Sequence, residues 1–404
     1  MIVGIIGAGA SGMAAALAAS EHPGVQVELF ERQARVGKKL LATGNGRCNL
    51  TNVYAKGDRY HGQTPSFAAP ALDQWGPQAT LDWFRELGLF TVTEETGRVY
   101  PYSDQANSVV DVLRLALIRS NICLHTGFDV QKIKTELHGF NISNGEQTVY
   151  CDKLIVACGG LAGTKLGGSM SGYKLLSKLG HKSTRLRPAL VQLKCAWGGV
   201  VSLKGVRSNC CVSILRDGEA FSRSTGELQF TDYGLSGPVI FEVSRDACYG
   251  PGNWTACLDM LPDCTEQELK NELIRRRECG MPQEELLTGI LHNRLGRVLT
   301  KAAGITGVTD TRALTDGQIN DVLHAVKAFE IQLTEPMGMD HAQVTAGGVI
   351  TDDFDRETME SKLIPGLYAC GEVLDIDGDC GGYNLQWAWS SGYVAGTNAG
   401  KESL

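Results

Sequence analysis

Gly7, Gly9 and Gly12 form a G-x-G-x-x-G pattern directly after the apolar run Ile2 to Ile6 and directly before the alanine-rich stretch Met13 to Ala19. This reads as strand, glycine turn, helix. Gly7 permits the tight turn, Gly9 lets a pyrophosphate approach the backbone, and Gly12 lets the helix pack closely on the strand. The helix start, with Ala10 and Ser11, offers free N–H groups to phosphate oxygens. Val25 to Phe30 reads as a second alternating strand that ends in Glu31, 24 residues after Gly7 and followed by Arg32. A carboxylate at that spacing accepts hydrogen bonds from ribose hydroxyls and repels a 2′-phosphate, so the chemistry is that of a dinucleotide other than NADP.

Residues 35 to 52 are a glycine- and amide-rich loop with few packing side chains, where a simple NAD dehydrogenase would continue with βα repeats. Gly44, Asn45, Gly46, Arg47, Cys48 and Asn49 are expected beside the cofactor as N–H donors. Lys38 and Lys39 serve either there or as solvated surface charges. Near the other end, Gly366 to Cys370 reads as an apolar strand running into Gly371-Glu372, followed by Asp375, Asp377 and Asp379. Gly381-Gly382-Tyr383-Asn384-Leu385 then leads into a helical stretch, Trp387 to Gly396. A carboxylate after a strand suits ribityl hydroxyls, and a helix N-terminus stabilises negative charge on the pyrimidine side of a reduced flavin. These features select FAD over NAD. Lys153 to Cys158 reads as a buried parallel strand, with Ala157 and Gly159 at its cofactor end.

These residues need a large α/β scaffold to bring them together. The 404 residues suggest two or three domains, and 43% apolar with 21% charged residues is a globular composition. A net charge of -7 supplies no global attraction for nucleic acid or anionic lipid. Thirteen cysteines without a C-x-x-C signal neither a disulfide framework nor a zinc site, so no metal is expected and the thiols read as reduced, in a cytoplasmic protein. The glycines that interrupt the uncharged N-terminal run argue against a signal peptide.

The Arg187-Pro188 segment, after an expected helix Gly172 to Leu179, marks a boundary. Residues 190–260 then alternate as a small β unit, including Cys211 to Leu215 and Glu227 to Thr231. Residues 265–335 shift to helical spacing in Glu266 to Arg277, Pro282 to Leu295 and Asp316 to Ala328. The expected division is a first FAD-binding part at 1–187, an insert at 188–338 that shapes a substrate pocket, and a C-terminal FAD-binding part at 339–404. Arg275-Arg276-Arg277 reads as a solvated helix face.

The stretches "GKKLLATGNGRCNLTN", "GRVYPYSDQANSVVDVL", "GELQFTDYGLSGP", "AQVTAGGV" and "LYACGEVLDIDGDCGGYNLQWAWSSGYVAG" resemble the bacterial flavoprotein family called YhiN-like or BaiN-like, described as NAD(P)/FAD-dependent oxidoreductases. The resemblance implies an α/β fold: a glutathione-reductase-type Rossmann FAD domain interrupted by a β-barrel-like plus helical insert. It places Gly9, Ser11, Gly12, Glu31, Lys39, Asn45, Arg47, Val130, Gly371, Glu372, Asn384 and Leu385 around FAD, with Val130 on a strand Phe128 to Ile133. One member type reduces unsaturated 3-oxo bile acids.

Because a flavin carries the redox chemistry itself, the protein need only position a substrate and move protons. Tyr383, beside the flavin-directed helix, and His341, before "AQVTAGGV", are the acid/base candidates. Cys48 and Cys380 lack the paired spacing of flavin disulfide reductases and read as small packing residues. The leading expectation is an FAD-dependent reductase or dehydrogenase of a small molecule such as a conjugated carbonyl. NAD(P)H is its donor by resemblance alone, since no second complete G-x-G-x-x-G is present. A flavin-dependent RNA-modification protein and a non-catalytic redox sensor are the alternatives, and the oligomeric state is not read from the sequence.

Overall fold

The computed structural model describes residues 1–402. The chain forms two compact units, Met1–Pro188 with Ala342–Leu404, and Ala189–His341.

The first unit is built on a five-stranded sheet, β5-β4-β1-β2-β3. Its strands are β1 (Ile2–Ile6), β2 (Gln26–Glu31), β3 (Cys123–Thr126), β4 (Lys153–Val156) and β5 (Leu367–Ala369). Every neighbouring pair is parallel. Val3, Ile5, Leu29, Leu154, Ile155, Val156, Leu367 and Ala369 are fully buried, which explains why these strands are continuous apolar runs instead of alternating ones. The expected strand Lys153 to Cys158 ends at Val156, because the backbone leaves the ladder toward Gly159, a left-handed residue (φ +69°).

Two helices pack on this sheet, α1 (Ala10–Ser20) and α2 (Tyr383–Gly400). Both are longer than the sequence pattern suggests. Helix α1 is buried on every side from Ser11 to Ala19, a position its small side chains allow. Gly392, Gly396 and Gly400 recur every four residues on α2, so they share one face. A Cβ on Gly392 or Gly396 would collide with the carbonyl oxygen of Ser11 or Ala15, and one on Gly400 would lie 3.2 Å from the carbonyl oxygen of Ala19. The two backbones therefore approach as closely as helices can.

The second unit is a closed antiparallel barrel, in the order Leu193–Cys195, Gly234–Ser236, Glu219–Phe230, Arg207–Arg216, Trp254–Asp259 and Phe329–Pro336. The expected β unit at 190–260 is thus incomplete. Its closing strand arrives after the helices, where Cys257 pairs with Glu330 and Leu333 with Cys195. Helices Glu266–Cys279 and Asp316–Lys327 agree with the helical spacing, and both start in capping boxes, Thr265 with Glu268 and Thr315 with Gln318. The expected helix from Pro282 to Leu295 does not form. A short turn at Gln283–Glu285 and an irregular segment precede a helix that begins at Asn293. Leu286, Leu287 and Leu291, whose spacing imitates a helix, instead bury their side chains from that irregular segment.

Candidate flavin site

The glycine turn after β1 has the geometry its residue types require. Gly7 is left-handed (φ +105°), and a Cβ there would lie 2.5 Å from the carbonyl oxygen of Ala157. On Gly12 a Cβ would collide with the carbonyl oxygen of Gly7, whereas on Gly9 it would meet no protein atom. Gly9 therefore faces open space in front of the α1 N-terminus, where the first N–H groups have no acceptor within the helix. Such a cradle suits a pyrophosphate.

Glu31 closes the turn from the end of β2. Its oxygens accept hydrogen bonds from the N–H groups of Ala8 (2.9 Å) and Gln33 (2.8 Å). A carboxylate offers about four lone-pair directions, so it retains capacity for ribose hydroxyls. Arg32 turns aside and donates to the Gly167 carbonyl oxygen. The segment expected as a strand from Phe128 is irregular as far as Gln131, and the strand begins at Lys132. Phe128 donates its N–H to the Glu31 carbonyl oxygen at 2.9 Å, which holds this segment against the end of β2 without ladder pairing. Val130 is buried within it.

The 35–52 loop is tightly wound. Gly44, Asn45, Gly46 and Cys48 all have positive φ (56°, 57°, 86° and 61°), and for Asn45 and Cys48 this is a strained conformation of the kind that clusters at ligand sites. Two of the expected N–H donors are used inside the loop, Arg47 to Gly44 (3.1 Å) and Cys48 to Thr43 (2.9 Å). The Arg47 guanidinium lies 3.8 Å from the Tyr100 ring centroid and pairs with Asp104 and Glu94. Lys38 is exposed. Lys39 reaches across the unit to Glu372, Nζ to Oε2 at 2.7 Å. The other Glu372 oxygen accepts the Thr345 N–H at 2.9 Å, and the Thr345 hydroxyl in turn accepts from the N–H groups of Leu161 and Ala162. "AQVTAGGV" thus serves as a brace for Glu372, a role that its spacing did not signal.

At the α2 N-terminus, Gly381 and Gly382 are left-handed (φ +124° and +102°). A Cβ on Gly382 would lie 2.9 Å from Asn49 Oδ1, a buried acceptor with no protein partner. The Thr51 carbonyl also crowds that position, at 2.5 Å from such a Cβ, and the orphaned Asn49 acceptor is what a ligand N–H or O–H would satisfy. Asn384, expected against the cofactor, spends its side chain on backbone: Nδ2 donates to the Gly378 (2.8 Å) and Asp379 (3.2 Å) carbonyls, and Oδ1 accepts the Gly378 N–H. Leu385 is half-buried and packs on the main core. Gln386 is fully buried, accepts from the Thr51 hydroxyl and donates to Trp75, Thr80 and Ser390. Trp387 Nε1 donates to the Gly371 carbonyl at 3.1 Å.

Tyr383 is buried as the first residue of α2. Beside it is a group that sequence reasoning did not single out. His61 Nε2 lies 2.7 Å from Asp379 Oδ1, Arg59 is 3.4 Å from the other oxygen, and the Arg59 guanidinium is 6.0 Å from the Tyr383 ring centroid. The short ladder Tyr60–His61 with Asp377–Gly378 sets this arrangement. It joins residues more than 300 positions apart, and so it has no local signal. His341 is exposed and belongs to the barrel unit. Burial pushes the Cys48 thiol up to about 12, which keeps it protonated and unreactive.

The sequence of residues 1–398 matches the family described as HI0933-like protein Rossmann domain. The chain belongs to that family. Over 403 residues it is 40% identical to the 3-dehydro-bile acid delta(4,6)-reductase of Clostridium scindens, covering 98% of each chain. Over 392 residues it is 31% identical to the ribosomal RNA dihydrouridine synthase of Escherichia coli, covering 96% of each. Its fold is similar to that of 3-ketosteroid delta1-dehydrogenase from Sterolibacterium denitrificans, with a TM-score of 0.51, 13% identity, and coverage of 98% of this chain and 99% of that one. This HI0933-like chain is an FAD-dependent oxidoreductase. Open space at Gly9, the free first turn of α1 and the unpaired Asn49 acceptor fit that cofactor. Among the described residues, no helix is long and apolar enough to cross a membrane.

Proposed function

We propose that this protein reduces a carbon–carbon double bond conjugated to a carbonyl group in a small polycyclic substrate, with NAD(P)H as the electron donor. One observation carries the reading: two relatives that match nearly end to end are named for the same kind of bond. The two double bonds of a delta(4,6) system are conjugated to the 3-oxo group of a 3-dehydro bile acid, and the bond saturated in dihydrouridine is conjugated to a uracil carbonyl.

Once held by these residues, FAD would supply the hydride-transfer chemistry that links the donor to the β-carbon of the substrate. The chain's own residues do the rest. The α1 N-terminus and Glu31 would hold the pyrophosphate and the ribose, and Glu372, braced by Lys39, would accept from the ribityl hydroxyls. The α2 N-terminus favours negative charge on the flavin pyrimidine. A proton must reach the α-carbon, and the Tyr383 hydroxyl or the His61 imidazole, oriented by Asp379, supplies it. Thirteen cysteines, none in a disulfide among the described residues, support a reducing cytoplasmic setting.

The identity to the dihydrouridine synthase favours a second reading, with RNA as substrate. Electrostatics favours the small molecule. Arg275 and Arg276 both pair with Glu272 and Arg277 pairs with Asp316, so the arginine run is not a free basic patch.

The test is anaerobic. The flavin is reduced by NADPH or NADH, then mixed with a 3-oxo-4-ene steroid or with unmodified ribosomal RNA. Reoxidation by the steroid, with a saturated product and slowed in Tyr383→Phe or His61→Asn, is the expected result. Reoxidation by RNA alone selects the second reading, and by neither substrate ends both.

A further inference from the structure

At the outer edge of the five-stranded sheet, β2 and β3 bring together three side chains that neither the cofactor nor the proposed reaction uses. Glu28 and Cys123 are direct partners across the ladder, and His125 lies two residues along β3 on the same face. His125 Nε2 is 2.6 Å from Glu28 Oε2 and 3.4 Å from Cys123 Sγ. One oxygen, one sulfur and one nitrogen thus lie within 4.8 Å of one another.

We propose that Glu28, Cys123 and His125 form a binding site for a zinc-type divalent cation, with water as the fourth ligand. The donor set is one that zinc takes, and bonds of roughly 2.0–2.3 Å in a tetrahedron separate neighbouring ligand atoms by about 3.3–3.6 Å. The sulfur–nitrogen spacing already has that value. The oxygen and nitrogen, now sharing a hydrogen bond, must open by roughly 0.7 Å.

The surroundings hold the ligands in place. Gln26 Nε2 donates to Glu28 Oε1 at 2.6 Å, which leaves Oε2 turned toward His125. The His125 ring stacks on Phe30 at 4.7 Å with an interplanar angle of 7°. Outer partners of this kind fix ligand orientation in metal centres. Glu28 is buried whereas Cys123 is exposed, so the site has a closed floor and an open side for metal entry and for the water. On binding, a metal–thiolate bond forms and the thiol proton leaves to solvent.

Such a cation would clamp edge strand β3 to β2. Glu31, at the cofactor end of β2, pairs with Thr126 three residues further along the same ladder. The site is therefore a staple for the adenosine side of the fold. Its C-x-H half is too short to signal a metal in sequence, and Glu28 lies on the neighbouring strand.

The experiment uses the full-length, FAD-loaded protein, stripped with a chelator and titrated with Co²⁺ alone. One equivalent is expected to bind, with a thiolate-to-cobalt absorption band that Zn²⁺ abolishes. Cys123→Ser and His125→Gln should lose the band and at least about 100-fold in affinity, and Gln26→Leu should lose about 10-fold. Absence of the band in the unmodified protein overturns the proposal. So does its persistence in Cys123→Ser, because twelve other cysteines are present. Flavin absorbance and circular dichroism report the folding of each variant. If the variants do not fold, X-ray absorption of the unmodified cobalt protein decides, since any sulfur count other than one refutes the site.

Discussion

Gly392→Ala tests how helices α1 and α2 are held together. The new methyl group would overlap the Ser11 carbonyl oxygen, and the Ser11 Cα and carbonyl carbon would each be 3.0 Å away. All three are backbone atoms of a fully packed helix, so no side chain can swing aside. Relief requires α1 and α2 to separate by on the order of 1 Å, and overpacking of this kind costs roughly 1–3 kcal/mol. For a unit of this size, a loss of 1 kcal/mol lowers Tm by about 2–4 °C, so a drop of roughly 2–12 °C follows. Function should suffer more than stability. In the proposed site the N-termini of both helices face the cofactor, and a 1 Å misplacement can cost about 100-fold in rate. Thermal unfolding with and without FAD, FAD titration of the apoprotein and turnover would be measured together. Gly400→Ala is the control, since its methyl group meets the movable His22 ring and sits 3.2 Å from the Ala19 carbonyl oxygen. Gly392→Ala matching the unmodified protein, or Gly400→Ala being equally damaging, would refute close backbone approach as the reason for these glycines.

Glu31→Ala removes the acceptor proposed for the ribose and leaves the N–H groups of Ala8 and Gln33 unpaired. FAD affinity measured by fluorescence quenching should fall roughly 10- to 150-fold, the equivalent of about 1.5–3 kcal/mol for charged hydrogen bonds; an unchanged Kd would show that Glu31 only closes the turn. Gln386→Leu strands polar partners at Thr51, Trp75 and Thr80, and should destabilise the protein by roughly 2–4 kcal/mol in denaturant. His181, stacked on Phe354 at 4.6 Å, has its pKa held below the usual value by burial, with Asp353 partly opposing. The unfolded chain then binds more protons than the folded one below about pH 6.5. Stability should decline as pH falls from there toward the lowered folded value, and His181→Gln should flatten that slope. An identical slope in the variant would remove His181 from the account.

The glycine turn could be read from sequence because each glycine answers a local steric demand. Gly7 needs a positive φ, Gly12 needs a missing Cβ, and both lie within one turn of β1. Glu31 and the α2 N-terminus follow from spacing along single elements. Elements that depend on distant partners were not legible in this way. The strand Phe329–Pro336 closes the barrel against strands more than 70 residues earlier, after intervening helices, and no local pattern announces it. The leucines of 286–291 have helical spacing but are buried by tertiary contacts. Lys39 with Glu372, and His61 with Asp379, are joined across more than 300 residues. Asn384 and Arg47 were expected at the site by resemblance, yet which atoms they present depends on neighbours that the motif does not contain.

The most direct test of the central claim is stopped-flow spectroscopy of the anaerobically reduced, FAD-loaded protein mixed with a 3-oxo-4-ene steroid. The oxidised flavin spectrum should return at a saturable rate, with one steroid double bond saturated per flavin. A reduced flavin that persists against this and other conjugated carbonyls, yet reoxidises rapidly with a quinone, would contradict it.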